Sequence, residues 1–169
     1  VAGAVFNVLL ITRAPLQLFQ AVQTSLLPHL AGLEATEGRE EFSRAIRITV
    51  LAIAAFAGAV ALGLLLIGPA VMHIVFGDKY DYSRFGLAIV AVGMGLHLTA
   101  GTLNQALLAR GRASAACATW LLCAALFVIW VAVPIVSSVL LRAEIGYTGA
   151  AGLLCLLLYV QYRRGAAAP

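Results

Sequence analysis

The stretch ITVLAIAAFAGAVALGLLLIGPAVMHIVFG, residues 48–77, contains no Asp, Glu, Lys or Arg. It is longer than the ~20 residues that a helix needs to cross the hydrocarbon core of a bilayer. Two further stretches, 85–109 and 113–141, also lack these charged residues and exceed that length. A helix satisfies its own backbone hydrogen bonds in lipid, and no alternation typical of barrel strands occurs. The sequence therefore predicts several membrane-spanning helices.

The composition of the whole chain agrees with this prediction. Of the 169 residues, 63% are hydrophobic and only 11% are charged, and the mean hydropathy is +1.01. Soluble domains contain about one half apolar and one quarter charged residues. Because this chain has too little polar surface to cover a globular core in water, lipid is its expected solvent.

We predict an all-α fold, a polytopic membrane helical bundle of about five transmembrane helices. The spans are expected, in chain order, at about 4–30, 48–76, 85–109, 113–140 and 145–162. The last span is near the lower length limit of ~17 residues. The first span is interrupted by Arg13, which makes it the most informative span for function.

The basic residues predict the orientation, because Lys and Arg accumulate on the cytoplasmic side of membrane proteins. With five crossings, the segment 31–47, the turn 110–112 and the C-terminal tail share one side, which carries most of the Arg residues. We therefore expect a cytoplasmic C-terminus and an external Val1, with earlier helices preceding this chain. Topology accounts for the net charge of +4, and no nucleic-acid partner is predicted.

A polar stripe follows one face of the first span. At ~100° per residue, Arg13, Gln17, Gln20 and Thr24 fall within a narrow arc of a helix. An Arg at mid-span costs about 2.5–3.5 kcal/mol in lipid, which favours a position facing a bundle interior or a wet cavity. The alternative is that Arg13 lies near the outer headgroups and extends its guanidinium toward them.

The third span carries a weaker face of small and polar residues, formed by Gly93, His97, Gly101, Asn104 and Leu108. Such residues allow close contact between membrane helices. His97 and Asn104 are therefore candidates for substrate binding. The alternative is that both side chains form hydrogen bonds to a neighbouring helix.

Several function classes lack support in the sequence. All seven carboxylates fall in predicted loops or at span ends, so no proton relay or sodium site of buried carboxylates is expected. No metal-ligand cluster, nucleophile elbow or glycine-rich phosphate loop occurs, so we predict no enzyme, no cofactor and no metal site. Cys117, Cys123 and Cys155 lie within predicted spans and are interpreted as small apolar fillers.

The charged segment 31–47 joins the first two spans. Phe42, Ala45, Ile46 and Thr49 are placed at helical spacing, with charged residues between them. This pattern favours an amphipathic helix that lies at the cytoplasmic membrane interface and leads into the second span. The alternative is a solvated linker, which would leave Phe42 in water.

Four segments carry a resemblance to a known family. They are FNVLLITRAPLQLFQAVQTSLLPHLAGL, REEFSRAIRITVLAI, IGPAVMHIVFGDKY and LNQALLARGR, which begin at residues 6, 39, 67 and 103. Together they resemble the C-terminal lobe of polysaccharide-export flippases, which belong to the multidrug, oligosaccharidyl-lipid and polysaccharide transporter superfamily. The most specific parts are the GP before FGDKY and the QALLARGR run.

The resemblance implies one half of a two-bundle transporter that opens a central cavity to each side of the membrane in turn. The expected activity is translocation of a lipid-linked polysaccharide or oligosaccharide precursor across the bacterial inner membrane, for polysaccharide, lipopolysaccharide and cell-envelope synthesis. The expected partners are this substrate, membrane lipids and a preceding N-terminal helical bundle. Arg13 would attract the pyrophosphate or acidic sugars, because its guanidinium is a rigid fork of donors.

Two other functions remain open at this stage. One is a multidrug or toxin exporter of the same superfamily, which would call for buried acidic residues. The other is a non-transporting accessory membrane subunit of envelope assembly. Substitutions along the polar stripe of the first span would be nearly silent in such a subunit.

Overall fold

The computed structural model describes residues 32, 38–77 and 83–166, and this part of the chain is all-helical. Its four helices are α1 (Gly38–Phe76), α2 (Arg84–Ala109), α3 (Ala113–Ala132) and α4 (Val139–Ala166). All four are long and apolar enough to cross a membrane. The predicted count of about five spans is not confirmed, because the span expected at 4–30 lies outside the described residues.

The helices run alternately up and down. The two ends of the α1–α2 pair show the antiparallel order, since Gly68 of α1 lies against Leu87 of α2 and Phe42 of α1 lies against Arg110 at the other end of α2. Helices α2 and α4 are parallel, with α3 returning between them along the chain. The start of α1, the α2–α3 turn and the end of α4 therefore meet at one end of the bundle, here called the basic end.

Helix α2 lies at the centre of the described bundle. It packs extensively against both α1 and α4, whereas the backbone of α1 comes close only to α2 among these helices. The difference in burial is large, since 61% of the most apolar stretch of α2 is buried and 11% of that of α1. The core residues of α2 include Leu87, Val90, Met94, Leu98, Leu103 and Leu107.

The boundaries of α2 follow from local chemistry. Ser83 precedes the helix with an extended backbone, and its hydroxyl accepts a hydrogen bond from Gly86 N at 3.5 Å, as an N-cap does. At the other end, Gly111 has φ +69°. Its N–H donates to Leu108 O, and the next N–H, of Arg112, donates to Leu107 O. This is a Schellman motif, which stops α2 and lets α3 begin two residues later.

The segment predicted as an interfacial helix is in fact the first part of α1. Helix α1 runs from Gly38 through Phe76 without interruption, so the described part of 31–47 is continuous with the second span. Its apolar face packs against protein, since Phe42 and Ile46 are buried. The predicted amphipathic pattern is present and leads into the second span as one continuous helix for residues 38–47, while its position at a membrane interface stays a prediction. No helix-breaking residue separates them from the span.

The connection between α3 and α4 also differs from the prediction. Hydropathy placed it between 140 and 145, whereas α3 ends at Ala132 and α4 begins at Val139. The residue before Pro134 is disfavoured in a helix, and Val133 accordingly has an extended backbone. This turn contains no charged residue, so hydropathy could not locate it. The charged residues used instead, Arg142 and Glu144, lie inside α4.

Candidate functional site

Two of the predicted site residues meet between α2, α3 and α4. Trp120 Nε1 of α3 donates a hydrogen bond of 3.1 Å to Asn104 Oδ1 of α2. The ring of His97, two turns earlier on α2, meets the same indole edge-on at 5.4 Å between centroids. Tyr147 of α4 lies on another side of His97, at 6.3 Å between ring centroids. We call these four residues, His97, Asn104, Trp120 and Tyr147, the interhelical cluster.

A glycine lets α4 approach α2 next to this cluster. A Cβ on Gly93 would stand 2.6 Å from Thr148 Oγ1 and 2.9 Å from the Tyr147 ring. The same Thr148 hydroxyl donates to Ile89 O of α2 at 3.0 Å. Close approach at a small residue, together with a hydrogen bond across the contact, is the usual way that membrane helices associate.

A second set of polar contacts joins α3 to α4 nearer the basic end. Arg112 Nη1 donates to the backbone carbonyl of Gln161 at 2.6 Å. The side chain of Gln161 in turn donates to Thr119 Oγ1, also at 2.6 Å. Each such bond between membrane helices contributes about 0.6 kcal/mol on average. These contacts join α3 to α4 near the basic end.

The basic end contains an arginine between two aromatic rings, which the sequence reasoning missed. The Arg110 guanidinium lies 4.5 Å from the centroid of the Phe42 ring and 4.7 Å from that of Tyr162. The Tyr162 hydroxyl is hydrogen-bonded to Ser43 Oγ at 3.2 Å. Cation–π contacts of this kind join α1, α2 and α4. The one available signal was the QALLARGR run, which marked Arg110 without indicating its partners.

Glu144 requires a correction. The sequence reasoning placed it in a loop between spans, but it lies in the second turn of α4 and its exposed fraction is 6%. Its carboxylate faces α2, because a Cβ on Gly86 would stand 2.6 Å from both carboxylate oxygens. The expectation that all seven carboxylates avoid the interior is therefore wrong for Glu144. Its position follows from the early end of α3 at Pro134, which moves the start of α4 upstream.

The remaining predicted site residues lie outside the described part of the chain. These are Arg13, Gln17, Gln20 and Thr24 of the first span. Their predicted role stays a prediction. In residues 32, 38–77 and 83–166, no group of three His, Cys, Asp or Glu side chains is placed to hold a metal ion. The three cysteines are unpaired, with Cys117 exposed, Cys123 buried and Cys155 half-buried.

The described contacts of the interhelical cluster join helices to one another. The interhelical cluster contains hydrogen-bond donors, hydrogen-bond acceptors and aromatic ring faces. The side chains of Asn104 and Trp120 are hydrogen-bonded to each other. Asn104 thus forms the interhelical hydrogen bond considered as its alternative role, whereas His97 makes ring contacts with Trp120 and Tyr147. His97 is half-buried.

The four described helices have the length and apolar composition of membrane-spanning helices, as expected of a multi-pass helical membrane protein. Comparison with known proteins adds no family to that class. No family model matches the chain, and neither a curated protein nor a solved structure is significantly similar to it.

Proposed function

We propose that this chain is one half of a transporter that translocates a lipid-linked polysaccharide or oligosaccharide precursor across a membrane by alternating access. The observation that carries the proposal is the sequence spacing of Arg13, Gln17, Gln20 and Thr24, which predicts a polar stripe on one face of the first span. A cation held within an apolar span is expensive, and it marks a substrate or ion pathway by default.

The charge distribution in the described bundle is consistent with this proposal. The basic end gathers Arg44, Arg47, Arg163 and Arg164, all of which are exposed. A strong excess of Arg on one side is typical of the cytoplasmic face of a bacterial inner-membrane protein. A lipid-linked precursor made in the cytoplasm would be presented to the transporter at that face.

All four described helices are joined by packing or polar contacts, and α1 and α3 carry the least buried apolar stretches. Helices α2, α3 and α4 are tied by side-chain hydrogen bonds such as Trp120 to Asn104 and Gln161 to Thr119. Helix α1 leaves large apolar side chains uncovered, including Leu62 and Leu66. In alternating access, rigid bundles rock against each other around the substrate site. The uncovered surface of α1 is available to lipid or to further helices of the transporter.

Arg13 would act by binding, with no covalent step. Its guanidinium offers parallel donors that match two oxygens of a phosphate. Gln17 and Gln20 would add neutral donors and acceptors for the sugar hydroxyls, while the lipid tail stays in the bilayer. Attraction in a cavity within the bundle would be stronger than in bulk water, because the effective dielectric constant there is lower.

The test is substitution of Arg13 in the complete protein. Arg13→Ala is expected to lower translocation of the lipid-linked precursor about tenfold or more, since a charge-assisted hydrogen bond contributes about 1.5–3 kcal/mol. Arg13→Lys should restore it only in part, because Lys lacks the planar fork. The matched control is Arg44→Ala, whose side chain is 62% exposed beside Glu41. Normal transport by an inserted Arg13→Ala protein would refute the role.

Export of an organic cation is a second candidate, and one observation favours it. Glu144 is buried in α4, and a buried carboxylate is the group that such an exporter would use to attract a cation. Under this alternative, Glu144→Gln would abolish efflux of a cationic dye from cells. Under the flippase proposal, cells carrying the unchanged protein would show no such efflux.

A further inference from the structure

Glu144 differs from the other acidic side chains that the structure describes. Glu40 and Glu41 are exposed at the start of α1, whereas only 6% of Glu144 is exposed. The buried side chain lies at the end of the bundle opposite the basic end, where α2 begins. Burying an ionised carboxylate without a partner costs several kcal/mol, so the surroundings of Glu144 must lower that cost or remove the charge.

No cation neutralises Glu144 within the described part of the chain, and its carboxylate forms no hydrogen bond there. The ionisable groups on the elements around it are otherwise placed. Arg84 of α2 and His73 of α1 are exposed. Arg142 Nη1 donates to two carbonyls at the C-terminal end of α3. Tyr147, one turn along α4, packs toward His97 and not toward a charge.

The carboxylate lies against the first turn of α2, in the space left by the missing Cβ of Gly86, here called the Gly86 cradle. Gly86 is the third residue of that helix, and a Cβ there would stand 2.6 Å from both carboxylate oxygens. The N-terminal end of a helix carries partial positive charge and favours an anion. The N-terminal end of α2 therefore stabilises the charged carboxylate, whereas burial stabilises the neutral acid. Each protonation state of Glu144 is favoured by one of these two effects.

We propose that Glu144 is a reversible proton-binding site at the α2–α4 contact. A carboxylate oxygen accepts a proton from water at the α2 N-terminal end of the bundle and returns it to that water, with no other bond formed or broken. Binding of the proton removes the charge that faces Gly86. The contact between α2 and α4 therefore responds to the proton concentration on that side of the membrane.

A proton site at Glu144 does not depend on the transported substrate. A proton site on one side of the bundle gives a proton gradient a means of favouring one arrangement of α2 and α4 over another. A ligand shifts such an equilibrium only by its difference in affinity between the two arrangements. Displacement of the carboxylate from the Gly86 cradle would supply that difference.

The experiment is labelling with a hydrophobic carbodiimide, a reagent that reacts with protonated carboxyl groups within membranes. The full-length protein in its native membrane is labelled over a series of pH values, and the adducts are located by mass spectrometry. We expect an adduct on Glu144 that forms at acidic pH and declines as the pH rises. The adduct should be absent in Glu144→Gln. Glu40 and Glu41, modified by a water-soluble carbodiimide, show that the method detects carboxyl groups.

Two glycine variants sharpen the test. Gly86→Ala should change the pH midpoint of Glu144 labelling, because the added Cβ displaces the carboxylate. Gly149→Ala on α4 should leave the midpoint unchanged, since a Cβ there meets nothing within 4 Å. Labelling of Glu144 that is absent at every pH, or equal at every pH, would overturn the proposal. If Gly86→Ala fails to fold, the pH series on the unchanged protein still decides.

Discussion

Helices α1 and α2 pack side by side, but α2 is enclosed by other helices and α1 is uncovered over most of its surface. The more apolar helix of the two is the uncovered one. In water the opposite would hold, since apolar area drives burial. In lipid, hydrocarbon surrounds an apolar side chain whether or not it packs, so small and polar residues decide which helix becomes central.

The glycines of the two helices illustrate this difference. A Cβ on Gly95 of α2 would overlap the Cβ of Ala57 on α1, whereas a Cβ on Gly58 of α1 meets nothing within 4 Å. The same residue type is therefore a requirement at one position and open space at the other. Substitutions at packed positions should therefore destabilise the protein more than matched substitutions at open positions of α1.

The largest expected effect is that of Gly95→Leu. The added side chain would force α1 away from α2, and overpacking of this kind costs about 3 kcal/mol. The measurement is the free energy of unfolding in mixed micelles, followed by circular dichroism. The matched variant, Gly58→Leu on α1, should unfold within about 0.5 kcal/mol of the unchanged protein. Equal destabilisation by both variants would show that α1 is enclosed as fully as α2.

A smaller effect is expected at the basic end, where α1 meets both α2 and α4. Arg110→Ala removes the guanidinium from between the Phe42 and Tyr162 rings, and a desolvated cation–π contact contributes about 2 kcal/mol. The same unfolding measurement applies. Arg44→Ala is the control, because its ion pair with Glu41 is exposed and such pairs contribute about 0–1 kcal/mol. Equal stability of the two variants would contradict the assigned role of Arg110.

The smallest effect is expected within the interhelical cluster. Trp120→Phe keeps an aromatic ring beside His97 but removes the N–H that donates to Asn104. Hydrogen bonds between membrane helices contribute about 0.6 kcal/mol on average, so the free energy of unfolding should fall by about that amount. Leu66→Ala provides the comparison on α1, where the side chain is 70% exposed. A loss from Leu66→Ala that exceeds the loss from Trp120→Phe would reverse the contrast between the two helices.

The bounds of α2 could be predicted closely from the sequence. The span expected at 85–109 agrees with the observed helix, Arg84–Ala109, because charged residues lie at both of its ends. The next two spans were less well placed. Their true connection contains only uncharged residues around Pro134, and hydropathy has no signal there. The turn chemistry of proline would have been the better guide.

The contacts of the candidate site were less predictable than its members. Helical spacing placed His97 and Asn104 on one face of α2, but it could not supply Trp120, which comes from α3. The burial of Glu144 was missed for a related reason. A charged residue was taken to mark a loop, whereas its position depends on where α3 ends and on the absence of a Cβ at Gly86. Such features belong to packing between helices and have no period along the chain.

Direct measurement of translocation tests whether this protein moves a lipid-linked saccharide across a membrane. The complete protein is reconstituted into vesicles with a fluorescent lipid-linked saccharide, and the labelled head groups outside are bleached by an impermeant reductant. We predict that the protein speeds the exchange of this lipid between leaflets relative to empty vesicles and to vesicles with the Arg13→Ala variant. Exchange no faster than in empty vesicles, with accumulation of a cationic dye in the same preparation, would contradict the account and favour the exporter.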